Sequence, residues 1–176
     1  MKKVPNWYVI TGGPNSGKTT TIDCLKDMGY HVVPEYTRMM IDKEMARGKT
    51  IQEIRGDPKV FQERALKLKL LLEKNAPRNK LIFLDRGLPD TIAYHRFLKL
   101  DMPKRLFKMS KNRYKMVFIL DLLPYKNDYA RTENGQEAKG IHRQIKKIYR
   151  ELGYKIVRVP VMPVENRVKL ILKNLK

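Results

Sequence analysis

Trp7-Tyr8-Val9-Ile10-Thr11-Gly12-Gly13-Pro14-Asn15-Ser16-Gly17-Lys18-Thr19-Thr20-Thr21 is the stretch that decides how the other residues of this 176-residue chain are read. A short apolar run, Trp7 to Ile10, breaks into glycines and ends on Gly17-Lys18-Thr19, the spacing G-x-x-x-x-G-K-[ST] between a strand and a helix. Glycines let the backbone wrap an anion with successive N–H groups pointing inward. The helix that follows turns its partly positive N-terminus on the same anion. Gly12, Gly13, Pro14, Asn15, Ser16 and Gly17 are therefore expected to cradle phosphates, with Thr20 in the first turn of the helix behind them. In such a cradle Lys18 reaches the β- and γ-phosphates and the Thr19 hydroxyl can bind Mg²⁺. The alternative, a glycine-rich turn followed by a chance Lys-Thr, has to ignore the strand in front and the helical pattern behind.

Working outward, the chain alternates strands with helices. Ile22, Leu25 and Met28 mark one face of the first helix, which should end at Gly29. His31-Val32-Val33 reads as a short buried strand stopped by Pro34, and a helical pattern then runs to about Ala46. Asp57-Pro58 opens the next helix, an N-cap acid followed by proline, with Phe61, Ala65, Leu68 and Leu72 at helical spacing. Lys80 to Asp85 is a buried strand; Asp90 should cap a helix reaching about Leu100, and a short basic helix spans Pro103 to Ser110. Met116 to Leu120 is a strand ending at Asp121, and Leu123 to Glu133 is aperiodic. Ile141, Ile145, Ile148 and Leu152 mark an amphipathic helix, Lys155 to Val159 a last strand and Val164 to Leu175 a closing helix. This is an α/β pattern: a parallel sheet with helices on both faces, read as one domain over residues 1–176.

Right-handed crossovers put the ligand crevice at the carboxyl ends of the strands, which gathers the phosphate loop, Glu35, Asp85-Arg86, Asp121 and Pro160. Phosphoryl transfer asks mainly for positioning and charge neutralisation. Asp85, ending an apolar strand, is the candidate metal-directed carboxylate; the alternative is a cap of the next turn or an ion pair with Arg86. Glu35 is the candidate to meet an attacking hydroxyl, against an i,i+3 pair with Arg38 worth a few tenths of a kcal/mol. Arg38 either pairs with Glu35 or binds an anionic acceptor. Arg131, in the aperiodic stretch, is placed to act as an arginine finger from a closing loop, or is simply solvated. Asp90 and Asp57 read as helix caps, His95 as packing or substrate-side, and His31 and His142 as surface residues; the three histidines are not spaced as a metal site.

The charge is unusual: 38 Lys and Arg against 18 Asp and Glu, a formal net charge of +20. The excess is concentrated, with seven basic residues between Lys99 and Lys115 against Asp101 alone, and eleven between Lys139 and Lys176 against Glu151 and Glu165. Such a field attracts polyanions, so a nucleic-acid partner stands beside a merely solvated lysine-rich face; no interleaved aromatics argue for single-strand binding. A single cysteine, Cys24, leaves no internal disulfide or cysteine zinc site. No stretch approaches the roughly 20 apolar residues of a membrane span, and the first residues do not read as a signal peptide. Together these suit a reducing, cytoplasmic setting.

ITGGPNSGKTT, GYHVVPEYTR, FLDRGLPDTIAY, NDYARTENGQEA and ELGYKIVRVP, in this order, resemble the small P-loop kinase-like ATPases grouped with the nicotinamide riboside kinase domain of a bacterial NAD-biosynthesis regulator. More distantly the chain is similar to thymidylate and deoxynucleoside kinases. The likeness runs from Trp7 to about Pro160; the E-x-x-R, DRG-x-x-D-T-x-A-Y and R-T-E blocks carry more of it than the widespread P-loop. It implies a five-stranded sheet in the order 2-3-1-4-5 and Mg-ATP as phosphoryl donor. It also implies that Asp85-Arg86 meets substrate and metal, that Arg131 is the lid arginine, and that Val159-Pro160 lies near the adenine.

Three functions remain in play: a kinase of a small nucleoside- or nucleotide-like acceptor, a kinase of a nucleic-acid acceptor, and a non-enzymatic ATP-dependent switch. A GTPase lacks support because no N/T-K-x-D tetrad is present, and a ring-forming motor because there is no room for an added helical lid. A gel-shift titration with RNA and single-stranded DNA separates the first two. A nucleic-acid acceptor requires binding with a steep salt slope, and no shift at low salt removes that reading.

Overall fold

The whole of Trp7–Thr11, WYVIT, is buried, and Trp7 to Ile10 alternate between two apolar clusters as a strand inside a covered sheet must. In the computed structural model, which describes residues 4–124 and 133–175, it forms β1 at the centre of a five-stranded parallel sheet. The sheet contains β2 (His31–Val33), β3 (Ile82–Asp85), β4 (Met116–Leu120) and β5 (Ile156–Val159), in the order β2-β3-β1-β4-β5. This is the order that the family resemblance implies. Alternate residues of the central strands feed two cores. Trp7, Val9, Ile82 and Leu84 face α5 (Leu88–Phe97) and α7 (Gly135–Glu151), while Tyr8, Ile10, Phe83 and Phe118 face α1 (Lys18–Asp27) and α8 (Val164–Lys173). A smaller cluster of Met40, Ile41, Ile54 and Phe61 joins α2 (Tyr36–Met45), α3 (Ile51–Arg55) and α4 (Pro58–Asn75) beside the sheet. A single turn, α6 (Leu106–Met109), leads into β4.

Local chemistry sets the helix starts. Asp57 accepts from Lys59 N and Val60 N ahead of Pro58, as its sequence suggests. The short α3, which apolar spacing does not reveal, is held by a capping box: Glu53 N donates to Thr50 Oγ1 and Thr50 N to Glu53 Oε2. The predicted Ile141, Ile145 and Ile148 of α7 and Leu152 at its C-cap are all buried, and the opposite face exposes Lys139, Arg143, Lys147 and Arg150.

Three expectations change. β2, read as buried, lies at the sheet edge that the expected order gives it, and Val32 and Val33 are only half-buried. Met28 follows α1 at its C-cap and is exposed; the helix buries Thr21, Ile22 and Leu25 instead. The helix assigned to start at Asp90 begins at Leu88, which leaves Asp90 in its first turn. Among the described residues no helix is long and apolar enough to cross a membrane.

Ile145 is fully buried where α7 meets the sheet core. Ile145→Ala is expected to cost about 2–5 kcal/mol in urea denaturation, with the slope of the transition unchanged.

Candidate functional site

Parallel register brings the strand ends together. Ile10 lies opposite Asp85, and the Arg86 amide continues the ladder by donating to the Ile10 carbonyl (3.0 Å). Asp85-Arg86 therefore sits beside the residue pair Thr11-Gly12 from which the phosphate loop departs. The loop itself turns through left-handed residues at Asn15 (φ 63) and Gly17 (φ 73). At Gly17 a side chain would also collide with the guanidinium of Arg167.

The loop is braced from three sides. Arg167 of α8, buried, donates from Nη1 to the Ser16 carbonyl (3.3 Å) and from Nε to the Met162 carbonyl (2.8 Å). Leu123 N donates to the Asn15 carbonyl (2.9 Å), and Asn15 Nδ2 donates back to the Pro124 carbonyl (2.5 Å). On the α7 side Gly13 N donates to His142 Nδ1 (3.1 Å), and a side chain on Gly13 would lie 2.8 Å from the Ala138 carbonyl. His142 is therefore no surface residue. It is buried, and burial, followed by the charge of Lys146, holds its pKa down at about 4. The neutral imidazole is the form that can accept from Gly13. His31 is exposed as expected, and His95 is packed, its Nδ1 2.8 Å from the Thr91 carbonyl.

Pro14 to Thr20 line one side of a crevice of about 350 Å³, and Glu35, Arg38, Arg86 and Tyr94 line the other. The ionisable groups there are driven in different directions. Lys18 is folded onto the loop, donating to the Gly13 carbonyl (3.0 Å) and Ser16 Oγ (3.2 Å); burial and then Arg86 lower its pKa to about 8. Burial and then the charge of Glu35 push Asp85 up to about 7. Its Oδ1 is buried with no hydrogen-bond partner among the described residues. For Glu35 burial pushes the carboxyl up, but Arg86 and Lys18 outweigh it and hold the pKa at about 2. The partner that decides this is Arg86, whose Nε donates to Glu35 Oε1 (3.1 Å).

Lys18, Thr19, Thr20, Glu35 and Arg86 thus line one crevice with the loop, and Asp85 stands behind it in a recess that continues between α4 and α5. Pro160 follows β5 and lines neither that crevice nor the apolar cavity on the far side of the loop, which Leu122, Leu123, Pro124 and Ala138 enclose. Asp121 pairs with Arg158 (2.7 Å) and Lys146 (3.8 Å). Arg131 lies outside the described residues.

Sequence reasoning did not single out the walls of the recess. These include Phe61, Gln62, Lys69, Thr91 and Tyr94, with Arg55 and Glu133 joined by a 3.1 Å ion pair at its entrance. Thr91 and Tyr94 had a signal in the DRG-x-x-D-T-x-A-Y block, and Glu133 in the R-T-E block. Gln62 and Lys69 had none beyond being polar positions on a helix with an apolar stripe, yet Gln62 is buried and Lys69 donates to the Gly87 carbonyl (2.9 Å).

A family model described as AAA domain matches residues 7–167. Comparison with curated protein sequences finds no match. Among solved structures, the NadR protein in complex with NR aligns over 96% of this chain at 19% identity and a TM-score of 0.65; the chain spans about half the length of that protein, 50%. Deoxyadenosine kinase from M. mycoides aligns over 96% of this chain and 98% of its own at 15% identity, TM-score 0.68. Thymidylate kinase from Ehrlichia chaffeensis aligns over 97% and 98% at 13% identity, TM-score 0.58. At these identities the likeness is one of fold.

The His142–Gly13 contact gives the fold a pH dependence. The fold withholds from His142 a proton that the unfolded chain takes up. The associated stability is complete above the ordinary value of 6.5 and is lost as pH falls toward about 4. Between neutral pH and about pH 4.5, wild type is expected to lose about 1–3 kcal/mol more than His142→Gln in urea unfolding. Equal losses would show that the imidazole is not held neutral.

Proposed function

Because the chain belongs to the AAA domain family, we propose that it is an ATP-dependent kinase that moves the γ-phosphate of Mg-ATP to a hydroxyl or phosphate of a small nucleoside- or nucleotide-like molecule. The observation that carries this reading is the convergence at one strand edge of a braced phosphate loop, a buried carboxylate oxygen without a hydrogen-bond partner among the described residues, and an Arg86–Glu35 pair beside a separate recess. A bare nucleotide switch needs the loop and the metal ligand. It has no need of a second recess with its own carboxylate at the entrance. Residues 1–176 are read as one kinase-like domain.

In this reading Gly12 to Thr20 hold the donor phosphates, and Lys18 leaves the Gly13 carbonyl to pair with them. Among the described residues no group of three or more His, Cys, Asp or Glu could hold a metal by itself. That suits Mg²⁺, which keeps waters and phosphate oxygens and takes one or two protein ligands. Thr19 and Asp85 would supply them, and Asp85 Oδ1, buried without a partner among the described residues, fits a cation. When bound, the ion neutralises charge on the phosphate oxygens. Glu35, held ionised, is a weak base but a good hydrogen-bond acceptor. In a loose phosphoryl-transfer transition state, orienting the acceptor hydroxyl is what such a group contributes. Arg86 and Arg131 would stabilise charge on the transferring group. The acceptor would occupy the recess between Phe61, Gln62 and Tyr94.

The test is mass spectrometry of products after incubation with Mg-ATP and a panel of nucleosides, nucleotides and cell-extract metabolites. A product heavier by one phosphate is expected. Glu35→Gln should lower kcat for that product by about 10²-fold or more while ATP affinity changes little. Tight ATP binding with no phosphorylated product from any acceptor would replace the kinase by a switch.

A further inference from the structure

Asp90 sits behind the crevice with 1% of its surface exposed and accepts from four donors. Its Oδ1 takes the Thr11 hydroxyl and Arg86 Nη1 (3.2 Å). Its Oδ2 takes the Gly87 amide (2.9 Å) and the Tyr149 hydroxyl (2.6 Å). Closing the first turn of α5 requires the Gly87 bond alone. The other three donors come from the end of β1, from α7, and from the arginine that faces Glu35. We infer that Asp90 is a positioning residue: it locks the Arg86 guanidinium to β1 and α7, and through Arg86 it fixes the Glu35 carboxylate at the entrance of the acceptor recess. This role rests on the kinase reading above.

The geometry around Arg86 shows how the lock works. Arg86 Nη1 also donates to the Gly12 carbonyl (3.1 Å), so one guanidinium edge bridges Asp90 and the first residue of the phosphate loop. The Arg86 backbone is left-handed (φ 67), a conformation that a non-glycine residue keeps only when its surroundings impose it. The bond from Arg86 N to the Ile10 carbonyl on one side, and from Gly87 N to Asp90 on the other, impose it here. Gly87 leaves the space through which α7 reaches in: a side chain there would lie 2.7 Å from the Tyr149 hydroxyl and 2.8 Å from the Tyr114 ring. Arg86 therefore has two carboxylates of different freedom, since the Asp90 side chain is 2% exposed and that of Glu35 26%. When Glu35 turns toward an acceptor hydroxyl, Asp90 keeps the buried guanidinium paired. The large penalty of an uncompensated buried charge does not arise.

Asp90→Asn preserves the volume but offers one acceptor oxygen in place of two. In steady-state kinetics it is expected to lower kcat about 100-fold, the cost of a small misplacement at the reacting groups, with nucleotide affinity within about threefold of wild type. Tyr149→Phe, which removes one of the four donors and keeps the ring, is expected to lower kcat about fivefold, and the double variant to be no worse than Asp90→Asn alone. A readout independent of any acceptor is solvent exchange of the Arg86 Nε proton by ¹⁵N NMR. It is expected to be slow in wild type and faster in both variants. A lower Tm with kcat and Arg86 exchange unchanged would reduce Asp90 to a helix cap. Should Asp90→Asn not fold, unchanged kcat and exchange in Tyr149→Phe overturn the proposal equally. If wild type transfers phosphate to nothing, the kinase reading fails, and the exchange measurement still decides whether Asp90 holds Arg86.

Discussion

A buried guanidinium has to be paired, and the pairing of Arg86 is the interaction on which the site depends. Its Nε meets Glu35 from the β2–α2 junction, and its Nη1 meets Asp90 on α5 and the Gly12 carbonyl at the head of the phosphate loop. The Tyr94 ring lies under the guanidinium at 5.5 Å. Removing one partner from such a pair leaves a desolvated charge uncompensated, which is costly, whereas satisfying all of them fixes the relative position of the elements that carry them. Three strand ends and two helices are thereby held in one arrangement by a single side chain.

Around that tie the charges are unequal in a way that suits an anionic ligand. Lys18, turned onto its own loop, is easier to deprotonate than a solvated lysine, and Asp85 harder to ionise than a solvated aspartate, each mainly through burial. Glu35 goes the opposite way because Arg86 lies against it. Phosphate oxygens in the loop would give Lys18 the opposite charge it lacks, and a cation beside Asp85 would do the same for the carboxylate. The protein charges would thus form half of a balanced set, which in the proposed function a nucleotide with its metal would complete.

Much of this was legible in the chain. The strand-loop-helix of Trp7–Thr21, the buried strand ending at Asp85, and the spacing of Ile141, Ile145 and Ile148 are local patterns, set by what backbone turns and apolar periodicity permit, and all three hold. The misreadings share a cause. Met28 continues the apolar spacing of α1, but the helix has ended by the time that position is reached. His31-Val32-Val33 reads as a buried strand from its apolar residues, but at the edge of the sheet a helix layer covers Val32 and Val33 only in part. His142 sits among charged neighbours in sequence, and it is buried because α7 packs against a loop 129 residues earlier.

By itself, then, the sequence determined the phosphate loop, the alternation of strands and helices, and the strand-end positions of Glu35, Asp85 and Arg86, because each follows from chemistry within a few residues. Only the tertiary structure decided the partners. Glu35 pairs with Arg86, not with the Arg38 three residues along; Asp90 gathers donors from three elements; and Gln62, Lys69 and Tyr94 become walls of one recess. Buried polar groups must find partners wherever the packed layers place them, and that placement depends on register and crossing geometry across dozens of residues, which no local pattern encodes.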